Sequence, residues 1–217
     1  LIDFLRFNVY YAQQVYTDQP LYSPTGLWNF VQQRPLEGFI FAVAPFNFTA
    51  IAGNLASSPA IMGNTVLLKP ASSCVYTPYL FMQILKEAGL PDGVINFVPG
   101  PGSMVGKLCL DHPDLGGIHF TGSTAVFHQM WETVGRNIAR YKSYPRIVGE
   151  TGGKDFIVAH NSANVRQLVT GIVRGAFEFQ GQKCSAASRA YIPESIWGEV
   201  RSELEADVAQ IKMGPTS

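Results

Sequence analysis

Short apolar runs alternate along this chain with longer segments that carry apolar residues at helical spacing. A continuous run such as GFIFAVA, bounded by Gly38 and Pro45, is typical of a strand buried on both faces. The predicted strands in the first two thirds of the chain are 38–44, 64–70, 94–98, 117–120 and 146–150. Segment 17–38 is rich in proline and polar residues, and it is predicted to be a linker with room for one strand.

The segments between these strands have the periodicity of amphipathic helices. The predicted helices are 1–16, 49–62, a helix capped by Thr77 that begins at Pro78 and ends before Gly89, a short helix after Ser103, and 123–141. Regular alternation of strand and helix predicts an α/β fold, with a parallel sheet covered by helices on both faces. Many nucleotide-binding proteins have this architecture, although a fold alone does not define a function.

The pattern changes after Glu150. A glycine-dependent turn, TGGK at 151–154, is followed by a strand at DFIVAH, a helix at 164–180, a strand at SRAYIP and an amphipathic helix at 195–212. We therefore expect one domain over 1–149 and a second over 150–217 that is cut off before its end. We also expect both ends of a longer protein to be missing, since the chain begins at LIDFLRF and ends at KMGPTS in the middle of a pattern.

Composition narrows the classes of function. Hydrophobic residues make up 47% of the chain and charged residues 15%, which is enough to bury a large core. Lys plus Arg and Asp plus Glu are 16 each, and this balance argues against a nucleic-acid partner, which usually meets a basic patch. No apolar run approaches the ~20 residues that span a bilayer, so no membrane partner is expected. Three cysteines predict no disulfide framework, and the absence of an HExxH or paired CxxC motif predicts no metal site.

Cys184, in GQKCSAAS, follows the end of a predicted helix at Gly181. Small and hydroxylated neighbours leave it accessible, and Lys183 supplies a nearby cation, as a cysteine nucleophile requires. The alternative is a small buried apolar residue, which is the usual role of a free cysteine and the one expected for Cys74 and Cys109.

Two other polar residues follow predicted buried strands. Glu150 ends a strand just before a glycine turn, and carboxylates at the carboxyl ends of parallel strands point into the crevice where ligands bind. The alternative for Glu150 is a solvated glutamate at a turn. Asn47, in APFNFTA, has an amide that can donate to a developing oxyanion, or it forms an Asx turn.

Three segments are candidates for nucleotide contacts. FTGST, at 120–124, joins a strand to a helix that Ser123 caps, and helix N-termini attract phosphate. Lys69 follows a strand and either reaches a ribose hydroxyl or phosphate or is a solvated lysine. GPGSMVG, at 100–106, resembles a glycine-rich phosphate loop. Its glycines have the spacing G-x-G-x-x-x-G instead of G-x-G-x-x-G, and no convincing acidic residue lies at the expected distance, so it is interpreted as a loop and helix cap.

The order of these motifs, PFNF, LLKP, FTGST, GETGGK and GQKCSAASR, resembles the aldehyde dehydrogenase superfamily across nearly the whole chain. The blocks from RPLEGFIF to LLKP and PRIVGETGGKDF are most similar to its delta-1-pyrroline-5-carboxylate (L-glutamate γ-semialdehyde) dehydrogenase branch. Phe46 and Thr151 depart from the residues common in the wider superfamily and favour that branch. The resemblance implies a Rossmann-like NAD-binding domain followed by the start of an α/β catalytic domain.

The resemblance also implies roles for individual residues. Cys184 would be the nucleophile, Glu150 the general base and Asn47 an oxyanion donor. The implied contacts with NAD come from Ala44, Pro45, Lys69, Gly122, Ser123, Thr124, Ala125 and Val126. Phe48 and Ser185 would bind the substrate, glutamate γ-semialdehyde. A homodimer or higher oligomer is implied, located in the mitochondrial matrix of a eukaryote or the cytoplasm of a bacterium.

Two alternatives stay open at this point. One keeps the chemistry but changes the substrate to another small semialdehyde, such as succinic semialdehyde. The other is a non-catalytic fragment that retains the fold, because the second glutamate of the family and the loop that grips the substrate carboxylate would lie beyond residue 217. A chain that ended at residue 217 is expected to be inactive or nearly so.

Overall fold

The computed structural model describes residues 1–215, and its contacts divide the chain into two compact units. The first unit is Leu1–Thr151, and the second begins at Gly152. The strands of the first unit are β1 (Phe39–Val43), β2 (Thr65–Lys69), β3 (Ile95–Phe97), β4 (Leu115–Gly122) and β5 (Arg146–Thr151). Its helices are α1 (Ile2–Thr17), α2 (Thr49–Ile61), α3 (Tyr76–Glu87), α4 (Gly102–Leu110) and α5 (Thr124–Arg136).

The five strands form one parallel sheet in the order β3-β2-β1-β4-β5. Two clusters of buried side chains lie on its two faces. One cluster joins Ala42 and Leu68 of the sheet to Leu55 of α2, while the other joins Phe41 and Phe120 to residues of α4 and α5. The predicted α/β class and parallel sheet are thus confirmed. Helices cover both faces of the sheet because strands with continuous apolar runs have no face suited to water.

Several predicted boundaries are wrong. Segment 18–38 contains no strand. Helix α3 begins at Tyr76 with Val75 at its N-cap, so Thr77 is inside the helix; its hydroxyl instead lies 2.8 Å from the hydroxyl of Thr49. The predicted helix 123–141 is shorter, since α5 ends at Arg136 and a separate 3₁₀ turn follows at Ile138–Arg140.

Gly38 precedes β1 in a conformation that only glycine adopts easily. Its φ is +110°, and a Cβ at this position would overlap the carbonyl oxygen of Asp114, which accepts a hydrogen bond from Phe39 N. The chain therefore passes too close to the β4 entry for any side chain at residue 38.

Replacing Gly38 by alanine is expected to lower the free energy of unfolding by about 2–3 kcal/mol, because left-handed strain and a backbone clash act together. Urea denaturation monitored by circular dichroism measures the change. Gly26→Ala is the matched control, since Gly26 has a φ of +82° but no atom within 4 Å of the place that the new methyl group would occupy, and it should cost only about 1 kcal/mol. Equal losses in the two variants would contradict the clash.

The second unit contains a two-stranded parallel sheet and two helices. The strands are β6 (Phe156–Val158) and β7 (Arg189–Tyr191), and the helices are α6 (Val165–Phe177) and α7 (Glu194–Val208). Val169 of α6 and Val200 of α7 are fully buried, and Arg166 bonds both carboxylate oxygens of Asp207 at 3.0 Å. Predicted strands and helices in this part of the chain are confirmed in type, with helices that end a few residues earlier than expected.

Candidate active site

The predicted site residues of the first unit lie at one edge of its sheet. Strand order reverses between β1 and β4, and ligands in open α/β sheets bind outside the carboxyl ends of the strands at such a point. Val43, the last residue of β1, pairs with Lys69 of β2 and with Phe120 of β4. The segment from Ala44 to Phe48 leaves β1 at this edge and leads into α2, with Ala44 buried and Asn47 half-buried.

On the other side of the reversal, β4 leads into α5. Ser123 caps α5, as predicted, and its hydroxyl accepts a hydrogen bond from Val126 N at 3.4 Å. Residues 123–126 are all exposed. The N–H groups of Thr124 and Ala125 have no acceptor within α5, whereas that of Val126 is bonded to Ser123. The positive end of a helix macrodipole and free N–H groups together favour a phosphate at this place.

Lys69 is not the solvated lysine that the sequence left as an alternative. It is 6% exposed, and its Nζ donates to the carbonyl oxygen of Pro70 at 2.8 Å. Burial lowers the pKa of this ammonium group. Among the described residues, no carboxylate lies within ion-pair distance of Lys69, so its ammonium group has no paired counter-charge there.

Glu150 is placed by β5, where it pairs with Thr121 of β4. It is exposed, and with Thr121, Asn54 and His119 it lines a cavity of about 240 Å³ on the α2 side of the sheet. This placement agrees with the strand-end position predicted for Glu150.

His119 is a polar residue of this cavity that none of the sequence motifs indicates. Its Nδ1 lies 3.0 Å from the carbonyl oxygen of Leu55, which can only accept, so Nδ1 carries the proton and Nε2 is the basic nitrogen. Burial lowers the pKa of the imidazole, and this keeps it neutral near neutral pH. The sequence does contain one signal for His119. His119 and Thr121 are two residues apart in the strand GIHFTG, so their side chains lie on the same face of β4.

Cys184 belongs to the second unit, in the segment that joins α6 to β7. The helical path stops in a 3₁₀ turn at Glu178–Gly181, where Phe179, Gln180 and Gly181 have φ values of 52°, 58° and 70°. Non-glycine residues in this region carry conformational strain. The sharp reversal separates Cys184, a half-buried free thiol, from the end of α6.

Two backbone hydrogen bonds hold the segment that contains Cys184. Ala186 N donates to Lys183 O at 3.1 Å, which closes a turn around Cys184 and Ser185, and Ala187 N donates to Gly175 O at 2.9 Å. Lys183 does not act as a free cation beside the thiol, because its Nζ lies 2.9 Å from a carboxylate oxygen of Glu178. This ion pair with Lys183, aided by Arg174, lowers the pKa of Glu178.

Only the second glycine of TGGK, Gly153, is required by its surroundings. A Cβ on Gly153 would overlap the carbonyl oxygen of Cys184 and the carboxylate of Asp155, so the chain passes directly against the Cys184 backbone. Gly152 has no such neighbour. The second glycine is thus required by the position of the Cys184 segment.

The other cysteines behave differently from Cys184. Cys109 is buried in the core between α4 and the sheet, and burial raises the pKa of its thiol to about 11, as expected for an inert filler. Cys74 lies 3.3 Å from the hydroxyl of Thr77 at the start of α3. Within residues 1–215 there is no cluster of three metal-ligating side chains, and no helix there is long and apolar enough to cross a membrane.

Comparison with known proteins adds to this geometry. The sequence profile of the aldehyde dehydrogenase family matches residues 1–217. This chain belongs to the aldehyde dehydrogenase family. The predicted superfamily is therefore confirmed, and the fold fits it, with a parallel sheet in the first unit and a smaller α/β unit after it.

Individual relatives are similar over nearly the whole chain. A probable delta-1-pyrroline-5-carboxylate dehydrogenase of Schizosaccharomyces pombe is 52% identical over 99% of this chain and 40% of its own length. The mitochondrial delta-1-pyrroline-5-carboxylate dehydrogenase of Dictyostelium discoideum is 53% identical over 98% of this chain and 38% of its own length.

A solved structure is similar to this chain in both sequence and fold. The crystal structure of the Mycobacterium tuberculosis delta-pyrroline-5-carboxylate dehydrogenase bound with NAD has a TM-score of 0.94 and 56% identity, covering 98% of this chain and 40% of that one. The chain thus spans about 40% of the length of such relatives. These matches agree with the predicted branch of the family.

Proposed function

We propose that this chain is part of an NAD-dependent dehydrogenase that oxidises L-glutamate γ-semialdehyde, the open form of delta-1-pyrroline-5-carboxylate, to glutamate. The observation that carries the proposal is the carboxyl edge of the first unit's sheet. There, Lys69 and Glu150 lie at the ends of β2 and β5, and Asn47 and Ser123 follow β1 and β4, in a family member that is similar to pyrroline-carboxylate dehydrogenases. Proline breakdown is the process in which this reaction occurs.

The edge at the strand-order reversal fits NAD. Lys69 would bond the adenosine ribose, and Gly122, Ser123 and the first turn of α5, with Thr124, Ala125 and Val126, would hold the pyrophosphate. Ala44 and Pro45 would line the cleft beside it. A helix N-terminus with N–H groups that have no acceptor within the helix is suited to the pyrophosphate, and the buried ammonium group of Lys69 can donate to a ribose hydroxyl. When bound, NAD supplies the hydride acceptor of the reaction.

Cys184 begins the chemistry. Its thiolate sulfur attacks the aldehyde carbon and forms a carbon–sulfur bond, and the carbonyl oxygen becomes an oxyanion. The Asn47 amide and the Cys184 backbone N–H stabilise this charge. Loss of hydride from the same carbon then leaves a thioester on Cys184, so one difficult oxidation is divided into two easier steps.

Glu150 completes the reaction. Its carboxylate accepts a proton from water, the hydroxide attacks the thioester carbon, and the carbon–sulfur bond breaks to release glutamate and the Cys184 thiolate. Phe48, at the N-cap of α2, would pack on the aliphatic part of the substrate, and Ser185 would donate to its carboxylate. The turn that encloses Ser185 with Cys184 keeps this hydroxyl next to the nucleophile.

Substrate choice tests the proposal. The protein at its natural length is expected to form NADH, followed by absorbance, with kcat/KM for glutamate γ-semialdehyde at least about tenfold above that for succinic semialdehyde or an uncharged aldehyde. A preference for succinic semialdehyde would support the second candidate substrate. No NADH from any aldehyde would contradict the proposed function and favour a non-catalytic role.

The proposal extends to assembly and location. The protein forms a homodimer or higher oligomer, as the family resemblance implies. It acts in the mitochondrial matrix if its source is a eukaryote and in the cytoplasm if it is a bacterium. Several eukaryotic relatives have names that call them mitochondrial, which supports the first of these.

A further inference from the structure

One cavity of the first unit contains the proposed general base together with an imidazole that the proposed reaction leaves without a role. Its volume is about 240 Å³, and its polar side chains are those of Asn54, His119, Thr121 and Glu150. His119 and Thr121 belong to β4 and Glu150 to β5, and paired residues of neighbouring parallel strands lie on one face of the sheet. The cavity therefore extends from Glu150 along the α2 side of the sheet.

His119 and Glu150 are close enough for one water molecule to join them. His119 pairs with Val148, and Glu150 follows Val148 by two residues on the same face. The separation of neighbouring strands and the rise per residue then place the Cα atoms of His119 and Glu150 about 8 Å apart. Since both side chains line the cavity, the gap between ring and carboxylate is of the size that a water molecule bridges.

The other polar groups of the cavity suit such a water. Asn8 Nδ2 donates to Asn54 Oδ1 at 2.7 Å, which leaves the Asn54 amide N–H groups without an acceptor among the described residues. Together with the Thr121 hydroxyl and the Glu150 carboxylate, they supply the several partners that an ordered water needs.

The basic nitrogen of His119 is available to this water. Nδ1 is held by the carbonyl oxygen of Leu55 at 3.0 Å, and no group of the described residues forms a hydrogen bond with Nε2. Burial lowers the pKa of the imidazole, so the ring is neutral at neutral pH and readily gives up a proton that it acquires.

A second cavity gives such a proton a way out. Its volume is about 340 Å³, and His119 and Val148 line it as they line the first. Arg146 is the other titratable group of this second cavity, and α2 and β1, which adjoin His119, contain none. The charge of Arg146 disfavours an imidazolium and therefore favours release of the proton. Substrate and cofactor would occupy the carboxyl edge of the sheet, so the α2 side is the route left to a proton on Glu150.

We propose that His119 is the proton relay of thioester hydrolysis, which takes from Glu150, through a water in the cavity, the proton that Glu150 removes from the attacking water. The O–H bond at Glu150 breaks and an N–H bond at Nε2 forms, so the carboxylate is restored and the imidazole becomes an imidazolium. The imidazolium then loses this proton to bulk water and returns to its neutral form. The inference rests on the proposed function, in which Glu150 is the general base.

The His119→Asn variant tests the relay, because an amide can still donate to the carbonyl oxygen of Leu55 but cannot take up a proton at neutral pH. In the natural-length protein and dilute buffer, the burst of NADH in the first turnover is expected to be unchanged. Later turnovers should be slower by roughly tenfold to a hundredfold, since a proton-transfer group commonly contributes about a hundredfold or more. Stopped-flow absorbance separates the two phases.

Added imidazole distinguishes a relay from a structural role. Imidazole in the buffer can accept the proton in place of the missing side chain, so it should restore the later turnovers of His119→Asn to within about threefold of the unmodified protein. The matched control is His128→Asn, since His128 is exposed on α5 and lines neither cavity. Both phases of this control should be as in the unmodified protein, with or without imidazole.

Failure of the relay and failure of the proposed function give different results. A His119→Asn variant whose later turnovers keep their rate in dilute buffer would overturn the relay, and so would a slow variant that imidazole does not accelerate. Loss of the burst in both His119→Asn and His119→Gln would also overturn it, because His119 would then be needed for the fold or for the first step. No NADH from the unmodified protein would overturn the proposed function together with the inference.

Discussion

The Cys184→Ala variant of the natural-length protein is expected to lose NADH formation from glutamate γ-semialdehyde by roughly 10⁴-fold or more in kcat. Removal of a nucleophile eliminates the covalent route, and what remains is the modest effect of binding and oxyanion donors. Nucleotide binding should be unchanged, because the proposed NAD contacts all lie in the first unit. Steady-state kinetics measure kcat for NADH formation, and calorimetry measures the affinity for NAD.

Cys74→Ala is the matched control for this loss. Cys74 is a free, half-buried thiol like Cys184, but it lies against Thr77 at the start of α3 and has no proposed role in the reaction. It should retain activity within about twofold, since the change removes one weak hydrogen bond. Full activity in Cys184→Ala would refute the mechanism, and equal losses in both variants would indicate general damage to the fold.

Glu150→Gln is expected to separate the two halves of the reaction. Because Glu150 is proposed to activate only the water that hydrolyses the thioester, the first turnover should still release about one NADH per site in a rapid burst. Later turnovers should be slower by roughly 10²- to 10⁴-fold, which is the usual contribution of a general base. Stopped-flow absorbance resolves the burst from the steady state.

Glu199→Gln supplies the control for the loss of one carboxylate. Glu199 is exposed on α7, and its change should leave both phases as they are in the unmodified protein. A Glu150→Gln variant without a burst would contradict the assigned role, because Glu150 would then be needed before the thioester forms. Unchanged steady-state turnover would show that another group activates the water.

Much of the first unit could be predicted from local pattern. The strands FIFAV and TVLLK and the cap at Ser123 agree with the prediction because each depends on neighbours within a few residues. The local pattern predicts Thr77 as a cap for the same reason, but the helix begins earlier, at Tyr76. The Thr77 hydroxyl contacts Thr49, 28 residues away, and a local rule does not include such a partner.

The candidate site was recognised from the order of its motifs, while its surroundings were not. Small neighbours and a nearby cation predict that Cys184 is a nucleophile, yet that cation, Lys183, is paired with Glu178. The apolar strand around His119 gives no sign of a site in the sequence, although His119 shares a cavity with Glu150. Both facts depend on contacts that form only when separate segments pack together.

The sequence alone determined the alternation of strand and helix, the balance of charge, the residues able to do chemistry and the family, because composition, periodicity and motif order are properties of the chain itself. The tertiary structure decided the strand order β3-β2-β1-β4-β5, the burial of Lys69 beside α4 and the need for glycine at residue 153. Each of these depends on which distant segments become neighbours, and strand pairing and packing of the whole unit set those distances.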